Sequence, residues 1–460
     1  MANVIGTDSE GYPLGVAALR GRIGAVLGGG EGGGAVLAFA VRIVGAGLGY
    51  VLHILLARSL GAAEFGIWAS GWTMLLVVGH AASFGFSESV VRFFTTYAAR
   101  GEWGRGRGFL IFGSFVTLAF SGLVGALSLA ILALSAALLP VGWAVPLTFA
   151  ILAIPFFAFQ DWLEGIARSF GRPILALAPI YVLRPCMIAI VLTGAVSAGS
   201  RPLAGTAMAA TLMALAVAML VQVILVWRAA PKELFAARSE YGAFQWLGSS
   251  APLAAVFLID QLAAYADVLA LAATAPAGDT GVYFAASRIL SLVAMAPYAV
   301  SVIAGRSFAL HEARGAQGDL HAAIRRTTRW SFFASCALLL VLLPAGPLLL
   351  SSFGRDFVSA APVLTILSLG LVARAAGGHA EELLVALGHQ ATNAKIALAS
   401  AVAALGLAFA VTPVFGPLGA AAAMACAAAI RSFLFVCAAR RLTGHYTGIG
   451  RDTFFGVQQS

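Results

Sequence analysis

From Ala35 to Arg440 the sequence is a succession of apolar runs, each long enough to cross a bilayer as a helix, which takes roughly 20 residues. Only 10% of the chain is charged and 61% is hydrophobic, whereas a water-soluble domain is roughly one quarter charged. Inside a bilayer every backbone N–H and C=O has to be satisfied within the protein, and a helix does this span by span. The chain is therefore expected to be an all-α polytopic membrane protein. The runs divide into twelve candidate spans: 35–57, 66–94, 109–135, 143–167, 173–195, 203–227, 248–272, 280–306, 329–351, 358–386, 394–412 and 417–439. No soluble domain of useful size is left over. Residues 1–33 are Gly-rich and polar, running into GGGEGGG at 28–34, and are expected to be a flexible cytosolic tail. No cleavable leader is expected.

Charge placement sets the orientation. Of the 28 basic residues, six lie inside spans (Arg42, Arg92, Arg184, Arg288, Arg374 and Arg431) and three, Arg58, Arg201 and Arg355, fall on one side. The remaining nineteen collect on the other side, loop after loop. Basic residues mark the cytosolic face, so both termini are expected there. The same distribution explains the net charge of +9 without a nucleic-acid partner. The two longest loops, 228–247 and 307–328, mix apolar and charged residues as helices lying on a membrane surface do. Trp143, Trp162, Trp227, Trp246 and Trp330 stand near span ends, as in an interfacial belt. Cys186, Cys336, Cys426 and Cys437 sit in apolar runs without CxxC spacing and read as small core residues.

The two halves resemble each other. LARSLGAAEFGIWAS at 56–70 aligns with LAATAPAGDTGVYFAAS at 271–287, setting Glu64-Phe65-Gly66-Ile67-Trp68 on Asp279-Thr280-Gly281-Val282-Tyr283 at an offset of 215. Glu164 and Gly171-Arg172 align with Glu381 and Gly388-His389 at an offset of 217. Near-equal offsets indicate a duplicated six-span half. Two six-helix bundles, 34–227 and 248–440, joined by a linker at 228–247 and followed by a cytosolic tail at 441–460, would be related by an axis along the membrane normal and could rock about a central cavity.

LLARSLGAAEFGIWA (55–69), SFGFSESVVRFF (83–94) and DVLALAATAPAGDTGVYFAASRI (267–289) resemble the bacterial polysaccharide flippases, relatives of the multidrug and toxic compound extruders and of the peptidoglycan-precursor flippase. The resemblance implies that undecaprenyl-diphosphate-linked oligosaccharide, made for surface polysaccharide, is moved to the outer leaflet by alternating access. A polysaccharide polymerase and a chain-length regulator would then be partners, alongside the membrane lipids. Twelve spans depart from the fourteen of the peptidoglycan-precursor flippase, which puts that particular cargo in doubt.

The intramembrane charges carry the chemistry. An ionised side chain at the bilayer centre costs at least ~2.5–3.5 kcal/mol, so it faces a wet cavity or a partner. Arg42, Arg184, Arg288 and Arg374 are the candidates for binding a diphosphate, which arginine can grip through two parallel hydrogen bonds. Arg374 lies seven residues before Glu381, on the same face of an unbroken helix, so an internal pair is the alternative. Glu88 and Arg92, four apart, are candidates for an intrahelical pair. Asp260 and Asp267, seven apart, would share a face and either carry a coupling H+ or Na+ or pair with Arg288. Asp161 and Glu164 are expected to meet Arg168 and Arg172. Arg431 has no evident role. His53 shares a face with Arg42, and His80 and His379 lack metal-ligand spacing, so no metal and no other cofactor is expected. A drug or cation antiporter would favour a more acidic cavity than this mixture. A membrane polymerase or ligase would need a large outer loop, which the sequence lacks, so no catalytic residue is assigned.

Overall fold

The computed structural model describes residues 31–199 and 201–450. Among these there are helices and no strands: α1 (Glu31–Ala82), α2 (Phe86–Ala99), α3 (Trp103–Ser135), α4 (Ala144–Leu152), α5 (Ile154–Ser169), α6 (Pro173–Ala178), α7 (Arg184–Ser197), α8 (Ala204–Ala229) and α9 (Lys232–Ala236) in the first half. The second half holds α10 (Ala243–Ala264), α11 (Ala266–Thr274), α12 (Ala277–Val293), α13 (Met295–Ala313), α14 (Gln317–Ser351), α15 (Ala361–Ala376), α16 (Ala380–Ala386) and α17 (Gln390–Thr443). Most of the expected N-terminal tail lies outside the described residues, but Glu31 to Gly33 already belong to α1.

Nine runs among the described residues are long and apolar enough to cross a membrane, or ten if the pair bent by 43° at 277–293 and 297–313 is one span. The protein is thus a multi-pass membrane protein, and the twelve expected spans do not map one to one onto these runs. The first two fall within α1 and α2, and the last two within α17. Each of these runs turns at a glycine in a conformation closed to other residues: Gly61 (φ 77°, ψ 170°) and Gly416 (φ 55°, ψ −134°).

Packing separates two bundles. One core joins Phe86, Phe109, Trp162 and Trp246, all before residue 250, while another joins Phe308, Leu320, Leu383 and Phe435. A third core bridges them, setting Leu56, Phe65 and Trp68 against Leu271, Phe284 and Phe357. At the centre of that bridge the sequence repeat becomes a spatial contact. A Cβ on Gly66 would fall 1.7 Å from the Ala277 carbonyl oxygen, and one on Gly281 would fall 2.2 Å from that of Ala62. Gly66 and Gly281 stand 215 residues apart, and so do Ala62 and Ala277. The contact is therefore reciprocal, as a two-fold requires, and the two helices touch backbone to backbone. Glu64 and Asp279, also matched in the repeat, each face a helix start. Glu64 Oε2 accepts the Ala204 N–H of α8 at 2.7 Å, and Asp279 Oδ2 faces the break at Gly416.

Several sequence expectations are corrected. The stretch 307–328 is not a separate helix: α13 continues to Ala313 and α14 begins at Gln317. In 228–247 only Lys232–Ala236 is a short helix before α10 begins, and Glu240 pairs with the backbone of Gly104 instead. Trp162 and Trp246 are fully buried, their indole N–H groups donating to Ser114 and to Tyr97, whereas Trp227 and Trp330 are exposed as belt residues are. None of the four cysteines is fully buried, and Cys426 is exposed.

Candidate substrate cavity and membrane-buried charges

Breaks inside the spans position the polar residues. Irregular backbone at membrane depth leaves hydrogen-bonding groups open, so it occurs where protein or a wet cavity receives them. Span five contains a π-turn at Pro179–Leu183 that delivers Arg184, the kind of insertion that often marks functional sites. Span seven breaks at Tyr265, span eight at Ala294 and span ten at Gly377–His379, where Gly378 has φ +67°.

A cavity of about 690 Å3 opens within the second bundle, lined by residues from Asp260 to Phe435. Its ionisable lining is Asp260, Arg374, His379, Glu381, Glu382 and Arg431, with Tyr298 at one wall. Arg431 Nη2 donates to both Glu381 oxygens, at 2.9 and 3.1 Å, and His379 Nδ1 lies 3.8 Å from Glu382. Arg374 is exposed into this space and does not pair with Glu381. The seven-residue spacing presumed a continuous helix, and the break at Gly377–His379 rotates the second turn away.

Asp260 and Asp267 are separated for the same reason. Asp260 lines the cavity, but after Tyr265 the chain restarts as α11 and Asp267 falls in its first turn, buried. There its carboxylate accepts the Val268 N–H at 2.8 Å and the Tyr283 hydroxyl at 2.5 Å. It faces a helix N-terminus, which favours negative charge, and it does not line the cavity.

The other arginines lie along the contact between bundles or within the first. Arg42 reaches across it, Nη1 donating to the Tyr298 hydroxyl at 2.8 Å, with the Tyr181 ring 5.9 Å away. Arg288 lies 4.5 Å over the Phe284 ring, the ring that also packs 5.6 Å from His53. The His53 Nδ1–H is turned to the Gly49 carbonyl. Arg184 lies 5.2 Å over Trp72 and donates weakly to Gln160 Oε1 at 3.5 Å. Among the described residues, Arg42, Arg184, Arg288 and Arg374 have no carboxylate within 4.0 Å, whereas Arg168 and Arg431 do. Arg168 takes Glu88 at 3.0 Å and Glu164 at 3.9 Å. Glu88 is thus bridged to the neighbouring span and not to Arg92, which is exposed beside Phe93.

At the end bearing Arg58 and Arg355 the bundles are tied once more, Arg58 Nε donating to the Ser352 carbonyl at 2.6 Å. Spacing in the sequence missed Arg431, Glu382, Tyr298 and Gln160, and only the Gly377-Gly378 pair in the middle of span ten signalled a break there. Among the described residues no group of three His, Cys, Asp or Glu side chains is placed to hold a metal ion.

No protein-family model and no curated protein matches this sequence. Solved structures do match in fold. An inward-facing multidrug resistance MATE family transporter of the MOP superfamily aligns with a TM-score of 0.72 at 14% identity, over 86% of this chain and 94% of its own. The lipid II flippase MurJ in an inward closed conformation aligns with a TM-score of 0.68 at 14% identity, over 88% and 87%. A MOP superfamily transporter from Pyrococcus furiosus, described by the reversed polarity of its binding pocket, aligns with a TM-score of 0.64 at 14% identity, over 91% and 97%. The chain therefore has the fold of the MOP superfamily transporters, two helical bundles with no enzyme among these neighbours.

Proposed function

We propose that the protein flips a lipid-diphosphate-linked oligosaccharide from the cytosolic to the outer leaflet of the bacterial inner membrane for surface polysaccharide synthesis, its two bundles alternating access. The observation that carries this reading is that, among the described residues, four arginines inside the expected spans and not at their ends have no carboxylate within 4.0 Å: Arg42, Arg184, Arg288 and Arg374. At ~2.5–3.5 kcal/mol each, four uncompensated cations in a bilayer cost ~10–14 kcal/mol unless water and an anionic cargo meet them. A diphosphate supplies that anion. The fold of a lipid II flippase supports the same class of cargo. The basic end of the molecule is cytosolic in this reading, and a polymerase and a chain-length regulator receive the product.

Asp260, which lines the same cavity as the Glu381–Arg431 pair, would take the coupling H+ or Na+. The same cavity favours a second reading, an ion-coupled drug or cation antiporter, because Asp260, Glu381 and Glu382 outnumber Arg374 and Arg431 there. Reconstitution separates the two. Vesicles loaded with lipid-diphosphate sugar should show transfer that Arg42→Ala, Arg184→Ala, Arg288→Ala and Arg374→Ala each reduce. Full surface-polysaccharide export by all four normally expressed variants would end the flippase reading, and loss of drug resistance on deletion of the protein would favour the antiporter.

A further inference from the structure

After Gly444, which ends α17 with φ 74°, residues 445–450 turn back along the second bundle and dock on the break in span ten. The Ile449 N–H donates to the Ala376 carbonyl at 2.8 Å, and the Thr447 hydroxyl donates to the Gly377 carbonyl at 3.0 Å. These belong to the carbonyls that a helix leaves without partners at its C-terminus. The carbonyl of Thr447 in turn accepts the Thr328 hydroxyl of α14 at 3.0 Å. A Cβ on Gly378 would meet that same Thr447 oxygen at 2.3 Å, so the break and the returning chain fit only with glycine there. Thr447 is 1% exposed and His445 7%, although both follow the last helix.

The segment is pinned by two imidazoles. His445 Nδ1 lies 2.9 Å from His321 Nε2, and His321 Nδ1 lies 2.9 Å from the Gln317 carbonyl. A carbonyl only accepts, so His321 carries its proton on Nδ1 and offers the Nε2 lone pair to the His445 Nδ1–H. A second proton on His445 leaves that donor in place but charges a ring that is 7% exposed, so the docked position disfavours it.

We propose that residues 444–450 form a strap that locks the hinge of span ten, pinned at His321 and released when His445 takes its second proton. The hinge carries Arg374 on one side and His379, Glu381 and Glu382 on the other, so the strap controls how the cavity lining moves. The charged groups bearing on His445 are His321 of α14 and Glu312 of α13. Burial, and then the charge of His321, hold the His445 imidazole below its ordinary 6.5, while Glu312 opposes them. The docked strap accordingly binds fewer protons than the released one. Docking is complete above the ordinary value and weakens progressively as the pH falls below it.

Hydrogen exchange on the full chain in nanodiscs tests this, read on peptides covering 375–382 and corrected for the intrinsic pH dependence of exchange. Between about pH 8 and about pH 5.5, one unit below the ordinary value, exchange at the hinge should rise, by at most about tenfold. His445→Gln, which cannot take the proton, should abolish the rise, whereas His321→Gln, which keeps an acceptor but removes only the second of the two causes, should reduce it. Thr447→Val should give fast exchange at every pH. Unchanged wild-type exchange across this range, or a His445→Gln variant that still opens as the pH falls, would overturn the pH release. Slow exchange in Thr447→Val would overturn the strap itself. None of these outcomes depends on what the protein carries.

Discussion

The reciprocal glycine contact predicts a defined response to one methyl group. In Gly66→Ala the new Cβ would lie 1.7 Å from the Ala277 carbonyl oxygen, where ordinary contact begins at 3.4 Å. No side chain can rotate away, because the obstacle is backbone, so α12 has to part from α1 by about 1.7 Å. Overpacking of this kind costs about 1–3 kcal/mol, which moves a two-state equilibrium about 5- to 150-fold. The state disfavoured is the one in which the bundles close at Gly66 and Gly281. Thr280 is fully buried beside this contact, so Thr280→Cys, with the four native cysteines replaced, reports opening through its reaction with a membrane-impermeant maleimide added on the Arg58 side. The rate should rise within that range in Gly66→Ala. It should rise less in Gly281→Ala, whose Cβ meets the Ala62 oxygen at 2.2 Å. The double variant should be less than additive, since one separation relieves both clashes. Gly47→Ala, with open space around its Cβ, is the control. Unchanged labelling in both Gly66→Ala and Gly281→Ala would refute the contact as a closure point.

Glu381→Gln and Arg431→Gln should each lower thermal stability in detergent by about 1–2 kcal/mol, between the exposed and buried limits for an ion pair, because one partner is left half-buried and alone. The double variant should recover part of the loss, and a double-mutant cycle showing no coupling would remove the pair as a support of the cavity. Trp162→Ala, in the first-bundle core, should cost about 3–5 kcal/mol. The exposed Trp227→Ala should stay within about 0.5 kcal/mol. Equal losses in both variants would show that the two tryptophans do not differ in role.

What the sequence disclosed depended on the range of the interaction. Hydropathy sums over a whole span and survives local irregularity, so the membrane class and most of the apolar runs were legible. So was the duplication, because the short motifs around Gly66 and Gly281 are held in place by the contact they make. Inference from helical spacing failed wherever a span broke. Asp260 with Asp267, and Arg374 with Glu381, were each placed on one face by a seven-residue interval, and Tyr265 and Gly377–His379 interrupt those intervals. Glu88 shows the other limit. Its partner Arg168 is 80 residues away on a neighbouring span, a choice made by packing, against which Arg92 four residues away has no advantage.

The two halves keep the same backbone plan and divide the chemistry unequally, and this division bears on how one motion could move an anionic cargo. Near the contact between bundles the plan is conserved: Gly66 with Gly281 and Glu64 with Asp279 play matched parts. Away from it the matched positions diverge. Glu164 of the first bundle meets Arg168 on its own helix, four residues on, whereas its repeat partner Glu381 meets Arg431 from the last helix inside a cavity. Arg42 spans the gap to Tyr298 at the edge of that cavity, which Arg374 also lines, so a rocking motion about the glycine contact between the bundles would carry Arg42 away from the cavity. Cations that converge in one state and separate in the other bind an anion tightly in the first and release it in the second, which is the differential affinity that any ligand-driven conformational change requires. Tyr298→Phe removes the hydroxyl that holds Arg42 in the closed arrangement and leaves every charge in place. It should therefore weaken cargo binding less than Arg42→Ala does while speeding exchange between states, and a loss as severe as that of Arg42→Ala would show that the hydroxyl, not the convergence of charge, is what the cargo needs.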